Sequence, residues 1–455
     1  MLEKFDRNEV LRKIYEAGVV GAGGAGFPTH KKLDCNVEFL IINAIECEPL
    51  LQTDKYIMRS KADNLIKAIM IVSEVVNAKN TLIAIKKDYK VEYKNLEEAA
   101  KKINANIEFA FFESFYPAGD EHILVYEITK RIVPPGGIPL QVGVVVSNIG
   151  TILNIYNAIF ENKPVTRKYV SILGETKQPI ILDVPIGISV KECINFIEEI
   201  NLENFSIIIG GPMMGLVLNS EEVLKRSITK TDSAIIIIPS KHFLVNHASQ
   251  KLEHIINKAK SSCIQCSYCT ELCPRYLLGH PIRPHKVMRK IAYSNEIDNS
   301  FIDSLICSEC GICELYACPM GLSPRLVNKY IKEELKKKNI NFFYSQEKMI
   351  EPIKEREFRK IPTNRLLGRL NLDNYTIKGE IKIKKLDSEK VVIPLKQHIG
   401  KKAMPIVILG DVVKEGDIIA KVEYGEIGAN VHSSIDGIVV NIDENNIYIN
   451  KKAVR

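Results

Sequence analysis

Eight of the eleven cysteines in this chain fall into two tight runs, and no other feature limits the possible folds as strongly. The first run is Cys263-x2-Cys266-x2-Cys269-x3-Cys273-Pro274; the second is Cys307-x2-Cys310-x2-Cys313-x4-Cys318-Pro319. Thiolates at i, i+3 and i+6 can hold three corners of an iron–sulfur cubane, and the cysteine before proline typically reaches the other cluster. The spacing assigns Cys263, Cys266, Cys269 and Cys318 to one [4Fe-4S] centre, and Cys307, Cys310, Cys313 and Cys273 to a second. Such centres move electrons one at a time. Two rival readings stay open: zinc, which prefers paired to tripled ligands, and disulfides, which suit small exported chains better than this one.

At 455 residues the chain is long for a single core and predicts about three or four domains. The opening MLEKFDRNEVLRK has no apolar signal core. The longest apolar runs, at 142–146 and 234–238, are of buried-strand length and far too short to cross a bilayer. The expectation is a cytoplasmic protein without a transmembrane segment. The net charge of +7 is modest, and its densest source, 332–338, reads as a solvated helix end favoured by the dipole or as a docking patch for an acidic partner. Nucleic-acid binding is not expected, because no basic stripe is interleaved with aromatics and there is no Trp.

Residues 1–165 alternate between helix and strand, with helices at 9–18 and 62–76 and strands at 37–44, 81–85 and 107–112. That alternation implies helices packed on a largely parallel sheet. The character changes at 168. Strands at 169–173 and 180–184, a helix at 190–200 and a strand at 206–209 lead into Gly210-Gly-Pro-Met-Met-Gly215, a small ββαβ module of the β-grasp sort. The cysteine region, 245–340, should be helical. Residues 341–374 are charged and irregular, which suggests a linker. In 375–455, short alternating strands are separated by turn signals such as Glu415-Gly-Asp and Ile435-Asp-Gly. The stretch 431–437 is similar to the turn of lipoyl-type barrel-sandwich domains but lacks their lysine, so a structural role is expected. The expected divisions are thus 1–165, 166–235, 245–340, 341–374 and 375–455.

Gly21-Ala-Gly-Gly-Ala-Gly26 fits G-x-G-x-x-G, yet the residues before it read as a helix rather than the strand a dinucleotide fold requires. Glycines with only alanine between them still let a planar or anionic ligand approach the backbone. The loop continues through Phe27 to Lys32. Asn43-Ala-Ile-Glu46-Cys-Glu48-Pro49, Tyr116-Pro-Ala-Gly119-Asp-Glu121 and Asn148-Ile-Gly-Thr151 follow in order. This series resembles the FMN- and NADH-binding subunit of respiratory complex I, and more closely the RnfC family of the Rnf electron-transport complex.

The resemblance implies an α/β flavin- and NADH-binding domain with a β-grasp (soluble-ligand-binding) insert, a helical dicluster ferredoxin module and a C-terminal all-β barrel-sandwich domain. It implies that Gly21, Gly23, Gly24 and Gly26, with Phe27, lie along the flavin and nicotinamide. Lys32 would neutralise the FMN phosphate or ribityl end, and Asn43, Asn148 and Thr151 would hydrogen-bond the flavin. Glu46, Glu48 and Glu121 would line the NADH pocket, where Tyr116 and Gly119 also belong. The plain alternative for the asparagines is strand-end capping. Cys47, Cys35 and Cys193 read as packing thiols, and His280 and His285 as residues at the surface or beside the cluster ligands rather than on iron.

A barrel-sandwich domain that trails the clusters, with Cys273-Pro-Arg-Tyr-Leu-Leu-Gly-His280, the x4 gap before Cys318 and Gly321-Leu-Ser-Pro324, is similar to the cobalamin reductases of propanediol-utilising microcompartments. That likeness implies electron flow from NADH through FMN and two [4Fe-4S] clusters to a corrinoid or a corrinoid-enzyme partner, in the cytoplasm or inside a microcompartment. The electron-transfer protein tied to D-proline reductase belongs to the same extended group and, like Rnf, implies delivery to a protein partner instead.

Overall fold

The computed structural model describes residues 5–197, 204–294, 296–344, 350–377 and 379–451. Four strands lie in the spatial order Glu108–Phe112, Asn80–Lys86, Phe39–Asn43 and Val144–Asn148, and every pair is parallel. Their apolar residues are consecutive because both faces of a parallel sheet are covered. Alternate side chains part to opposite faces. Leu40 and Ile42 pack with the helices Arg7–Glu16, Ala62–Val75 and Ile149–Phe160, whereas Ile41, Val144 and Val146 meet Leu124 and Val125 of the helix Glu121–Thr129.

The strand order reverses between Phe39–Asn43 and Val144–Asn148. In open α/β sheets a crevice opens at such a switch point, beyond the carboxyl ends of the strands. The register pairs Asn43 directly with Asn148, so both expected flavin-binding asparagines stand at that mouth.

A second sheet has six strands in the order Lys382–Lys385, Ile180–Pro185, Arg167–Gly174, Ala234–Pro239, Phe205–Ile209 and Leu216–Leu218. Arg167–Gly174 and Ala234–Pro239 are its parallel central pair, each flanked by an antiparallel neighbour. The division drawn at 235 therefore falls inside a central strand, and the edge strand Lys382–Lys385 comes from the segment assigned to the C-terminal domain. The helix expected at 190–200 forms as Val190–Asn195, and 198–200 lie outside the described residues.

The stretch 341–374 departs from a linker. Within its described part, Ile361–Pro362 pairs with Phe115–Tyr116, and the helix Thr363–Arg369 buries Leu366 and Leu367, with Leu370 and Leu372 buried just after it. Some of its charges are partnered: Arg356 and Lys360 both meet Glu127. Two small sheets, built on Lys390–Pro394, Asn446–Asn450 and Gly437–Ile442 and on Ile418–Lys421 with its neighbours, enclose the C-terminal core. There the lipoyl-like stretch is no exposed tip. Residues 431–435 are buried, and His432 Nε2 lies 2.8 Å from the Glu16 carbonyl while the Ser434 hydroxyl donates to Ile186 O. Among the described residues no helix is long and apolar enough to cross a membrane.

Candidate cofactor cavity and cysteine nests

A cavity of about 990 Å³ opens at the switch point. Its size suits a flavin with a nicotinamide beside it. Every non-cysteine residue the resemblance nominated lines it except Gly26, whose left-handed backbone faces Thr231 and His398 instead. The glycine loop runs from a helix, Arg7–Glu16, to the four-residue helix Thr29–Lys32, so it is not a strand–loop–helix dinucleotide motif. Gly21 N–H donates to Phe27 O and closes the loop; Ala22 N–H donates to the Thr151 hydroxyl and ties it to the first turn of the helix Ile149–Phe160. At Gly24, φ is +109° and an added Cβ would meet nothing within 4 Å. The loop thus presents bare backbone to open space, as a flat ring needs.

Both asparagines cap strand ends and line the cavity at once. Asn43 Oδ1 accepts from Ile45 N–H, and its Nδ2 donates to Gly119 O. Asn148 Oδ1 accepts from Gly150 N–H, capping the helix Ile149–Phe160, and its Nδ2 donates to Asp54 at 3.0 Å. Each amide retains a second N–H. Lys32 is paired with Glu121 at 2.5 Å, so its charge is already balanced by a residue expected to line the same pocket.

Carboxylates crowd the inner wall. Burial raises Glu46 well above the usual carboxylate range; the Asp54 charge adds to this and Lys86 opposes it. Burial also raises Asp54, against the pull of Asn148 and Lys168. Glu48 accepts from the Met213 and Met214 N–H groups at 2.9 Å each, yet burial outweighs those bonds and pushes it up to about 7. Cys47 lies beneath this wall, its sulfur accepting from Gly119 N–H, and burial raises its thiol strongly. Cys193 is buried and Cys35 half-buried. The residue that sequence reasoning missed is Lys168. It comes from the second sheet, lines the cavity and donates to Ala22 O at 3.3 Å; a lone lysine entering a strand carries no pattern.

The cysteines gather into two nests that match the crossed assignment. Cys269 interacts with Cys318, Cys263 and Cys266; Cys313 interacts with Cys307, Cys310 and Cys273. All eleven cysteines are free. Among the described residues no three ligating groups converge closely enough to clasp a single ion. Four sulfurs per nest is the donor set a cubane takes.

The two triplets also share a backbone. Gln265 and Ser267 in one, Glu309 and Gly311 in the other, occupy matching left-handed positions. These conformations curl each loop around its centre, and for non-glycine residues they are adopted only where the surroundings enforce them. After Cys266 the chain makes an α turn, Tyr268–Glu271, whereas a π turn, Ile312–Tyr316, absorbs the extra residue of the x4 gap.

The nest of Cys273, Cys307, Cys310 and Cys313 abuts the cavity. Cys310 and Ser308 line its wall, and the Tyr116 hydroxyl donates to Cys310 O at 2.7 Å. Asp120 grips Arg275, two residues after Cys273, in a two-pronged ion pair. Lys332 is not a solvated helix end; it donates to Cys307 O and Glu309. The other nest opens toward the surface beside Ile264 and Met320. His280 is fully buried against Val133 O, and His285 meets the Thr270 hydroxyl.

Residues 14–157 match a family model described as a Nuo51 FMN-binding domain, 262–323 a 4Fe-4S dicluster domain, and 373–454 an RnfC barrel sandwich hybrid domain. The chain is similar to the protein named cobalamin reductase PduS of Citrobacter freundii, 36% identical over 98% of this chain and 97% of that one. The Salmonella typhimurium protein of the same name is 35% identical over 97% and 96%. An RnfC-type component of an ion-translocating oxidoreductase complex, from Vibrio cholerae, is 33% identical over 64% of this chain but only 36% of its own length. In fold, the chain is similar to an NAD+-reducing [NiFe]-hydrogenase structure with a TM-score of 0.50 at 19% identity, over 75% of this chain and 64% of that one.

Proposed function

We propose the function from one premise: this chain belongs to the family of the PduS cobalamin reductases. It is an NADH-dependent oxidoreductase that carries electrons through FMN and two [4Fe-4S] clusters to a corrinoid. FMN supplies the exchange between a two-electron hydride donor and one-electron carriers. The protein's own part is placement. The bare glycine loop and Gly119 admit the ring, Asn43 and Asn148 offer their remaining N–H donors to its edges, and Glu46, Glu48 and Glu121 frame the nicotinamide side.

The observation that carries this reading is the Tyr116 hydroxyl bond to Cys310 O, which makes one wall serve both cavity and nest. It supports electron entry at Cys273, Cys307, Cys310 and Cys313, and exit through Cys263, Cys266, Cys269 and Cys318, the nest near the surface. The central parallel pair of the second sheet supports a β-grasp, soluble-ligand-binding-like module. We place the protein in the cytoplasm or a microcompartment by kinship with these relatives. Prepared without oxygen, the chain should hold about eight irons and one FMN, and should reduce cob(III)alamin with NADH alone. A fully loaded protein that oxidises NADH but never reduces a corrinoid overturns the acceptor and favours delivery to a protein partner, as the likeness to the Rnf-type proteins suggests.

A further inference from the structure

Lys168 is a cation of the cavity to which the flavin resemblance gives no role. It stands at the start of the strand Arg167–Gly174, outside the 14–157 stretch that matches the FMN-binding family model, so the second sheet reaches into the flavin cavity through this side chain. Its ammonium makes one long bond, 3.3 Å to the carbonyl of Ala22 in the glycine loop. An ammonium has three donors. Its charged neighbours are Asp54, Asp232 and Glu46, with Asp54 engaged by Asn148 and Asp232 already paired with Arg226.

That environment selects among ligands. A phosphate dianion here would face the Asp54 and Glu46 carboxylates across a poorly screened cavity, and like charges in such a site repel strongly. A flavin ring is neutral when oxidised and gains at most one negative charge, on the N1–C2=O edge, when reduced. A single cation held beside carboxylates fits the second ligand and not the first. Resting on the flavin reading above, we propose that Lys168 donates to the pyrimidine edge of the isoalloxazine and stabilises its reduced, anionic form, leaving the phosphate to another part of the cavity. The second sheet thereby sets the flavin's potential.

The test compares Lys168→Met and Lys168→Arg with the parent chain, all prepared anaerobically with both clusters. Flavin midpoint potential and the affinities of FMN and riboflavin are measured on each. Loss of a hydrogen bond to a charged acceptor predicts that Lys168→Met favours the oxidised flavin by about tenfold, a fall of ~30 mV for a two-electron couple. Reduced FMN and reduced riboflavin should both weaken by that factor relative to their oxidised forms, Lys168→Arg should recover most of the potential, and iron content should not change. An unchanged potential overturns the proposal, and so does a loss of affinity confined to FMN, which would mean that Lys168 holds the phosphate. If the parent chain binds no flavin at all, the functional reading fails first, and that outcome is distinct.

Discussion

The two cysteine nests share a backbone and sit in opposite surroundings. The one at the cavity is closely packed: Tyr116 bonds Cys310 O, Lys332 bonds Cys307 O, and the Arg325–Glu314 ion pair, 2.6 Å between its partners, lies next to Cys313. The outer nest is bordered by exposed apolar side chains, with Ile264 61% and Tyr268 52% accessible. Cluster potential responds to hydrogen bonding, burial and nearby charge, so similar loops in unlike settings would give two unlike carriers. Relay needs this asymmetry: one centre held close to the donor, the other within reach of an acceptor.

Breaking one ligand in each nest should separate entry from exit, and it is the largest effect expected. Both Cys310→Ser and Cys266→Ser should lower NADH-driven corrinoid reduction by more than the roughly 10–100-fold that loss of an outer-sphere partner costs. They should differ in what survives. Under NADH, the Cys266 variant should still bleach the inner centre, read by low-temperature electron paramagnetic resonance, whereas the Cys310 variant should leave the outer centre oxidised. The same spectrum in both variants would defeat the assigned order.

Anchoring should follow the same asymmetry. Arg275 and Asp120, with side chains 10% and 16% exposed, tie the inner nest to the start of the helix Glu121–Thr129. Breaking a buried pair leaves a charge without its partner, so Arg275→Ala should cost ~3 kcal/mol. Arg359 and Glu271, at 32% and 37%, play the matching part near the outer nest. Arg359→Ala should cost under ~1 kcal/mol. Denaturant unfolding of the two variants measures the contrast, and equal losses would remove it.

The crossed pairing of the cysteines is a reading of their spacing, because covalent ligands leave few geometries open, and the structure brings the same groups of four together. The four flavin segments were legible in order, since each carries an unusual residue set at a fixed interval. Other features had no local signal. Lys168 matters only because the second sheet folds against the glycine loop, a contact between residues 146 positions apart. Residues 350–374 looked like a linker because charge dominates their composition, yet Arg356 is neutralised by Glu127 and the leucines fill a core supplied by distant segments. Stretch 431–435 resembled a lipoyl-type turn with a structural role, but nothing local named its packing partner, which is the carbonyl end of the helix Arg7–Glu16. Asn43 and Asn148 combine capping and cavity lining, two roles that sequence alone sets against each other.

Glu48 offers a subtler probe of the inner side. Its carboxyl is raised from an ordinary 4.5 to about 7, so between those pH values the folded chain binds more proton than the unfolded one. Stability therefore falls as pH rises through that window. Glu48→Gln should flatten the fall in thermal midpoint between pH 4.5 and 7. A slope that persists unchanged in the variant would assign it to other groups.

The smallest effect belongs to the outer rim. Ile264 is not a ligand and its side chain holds no core together, so Ile264→Glu should leave iron content, flavin content and the NADH-driven reduction of both centres unchanged. What it alters is the approach of an acceptor. An apolar contact at the middle of a docking patch contributes about 1 kcal/mol, or about fivefold in kcat/KM for the corrinoid. The same charge placed at the inner side, on Phe27 in the cavity wall, should disturb flavin binding and leave the rim untouched. If Ile264→Glu slows NADH oxidation by a small artificial acceptor as much as it slows corrinoid reduction, the surface nest is not where electrons leave, and the two nests must exchange the roles argued from their surroundings.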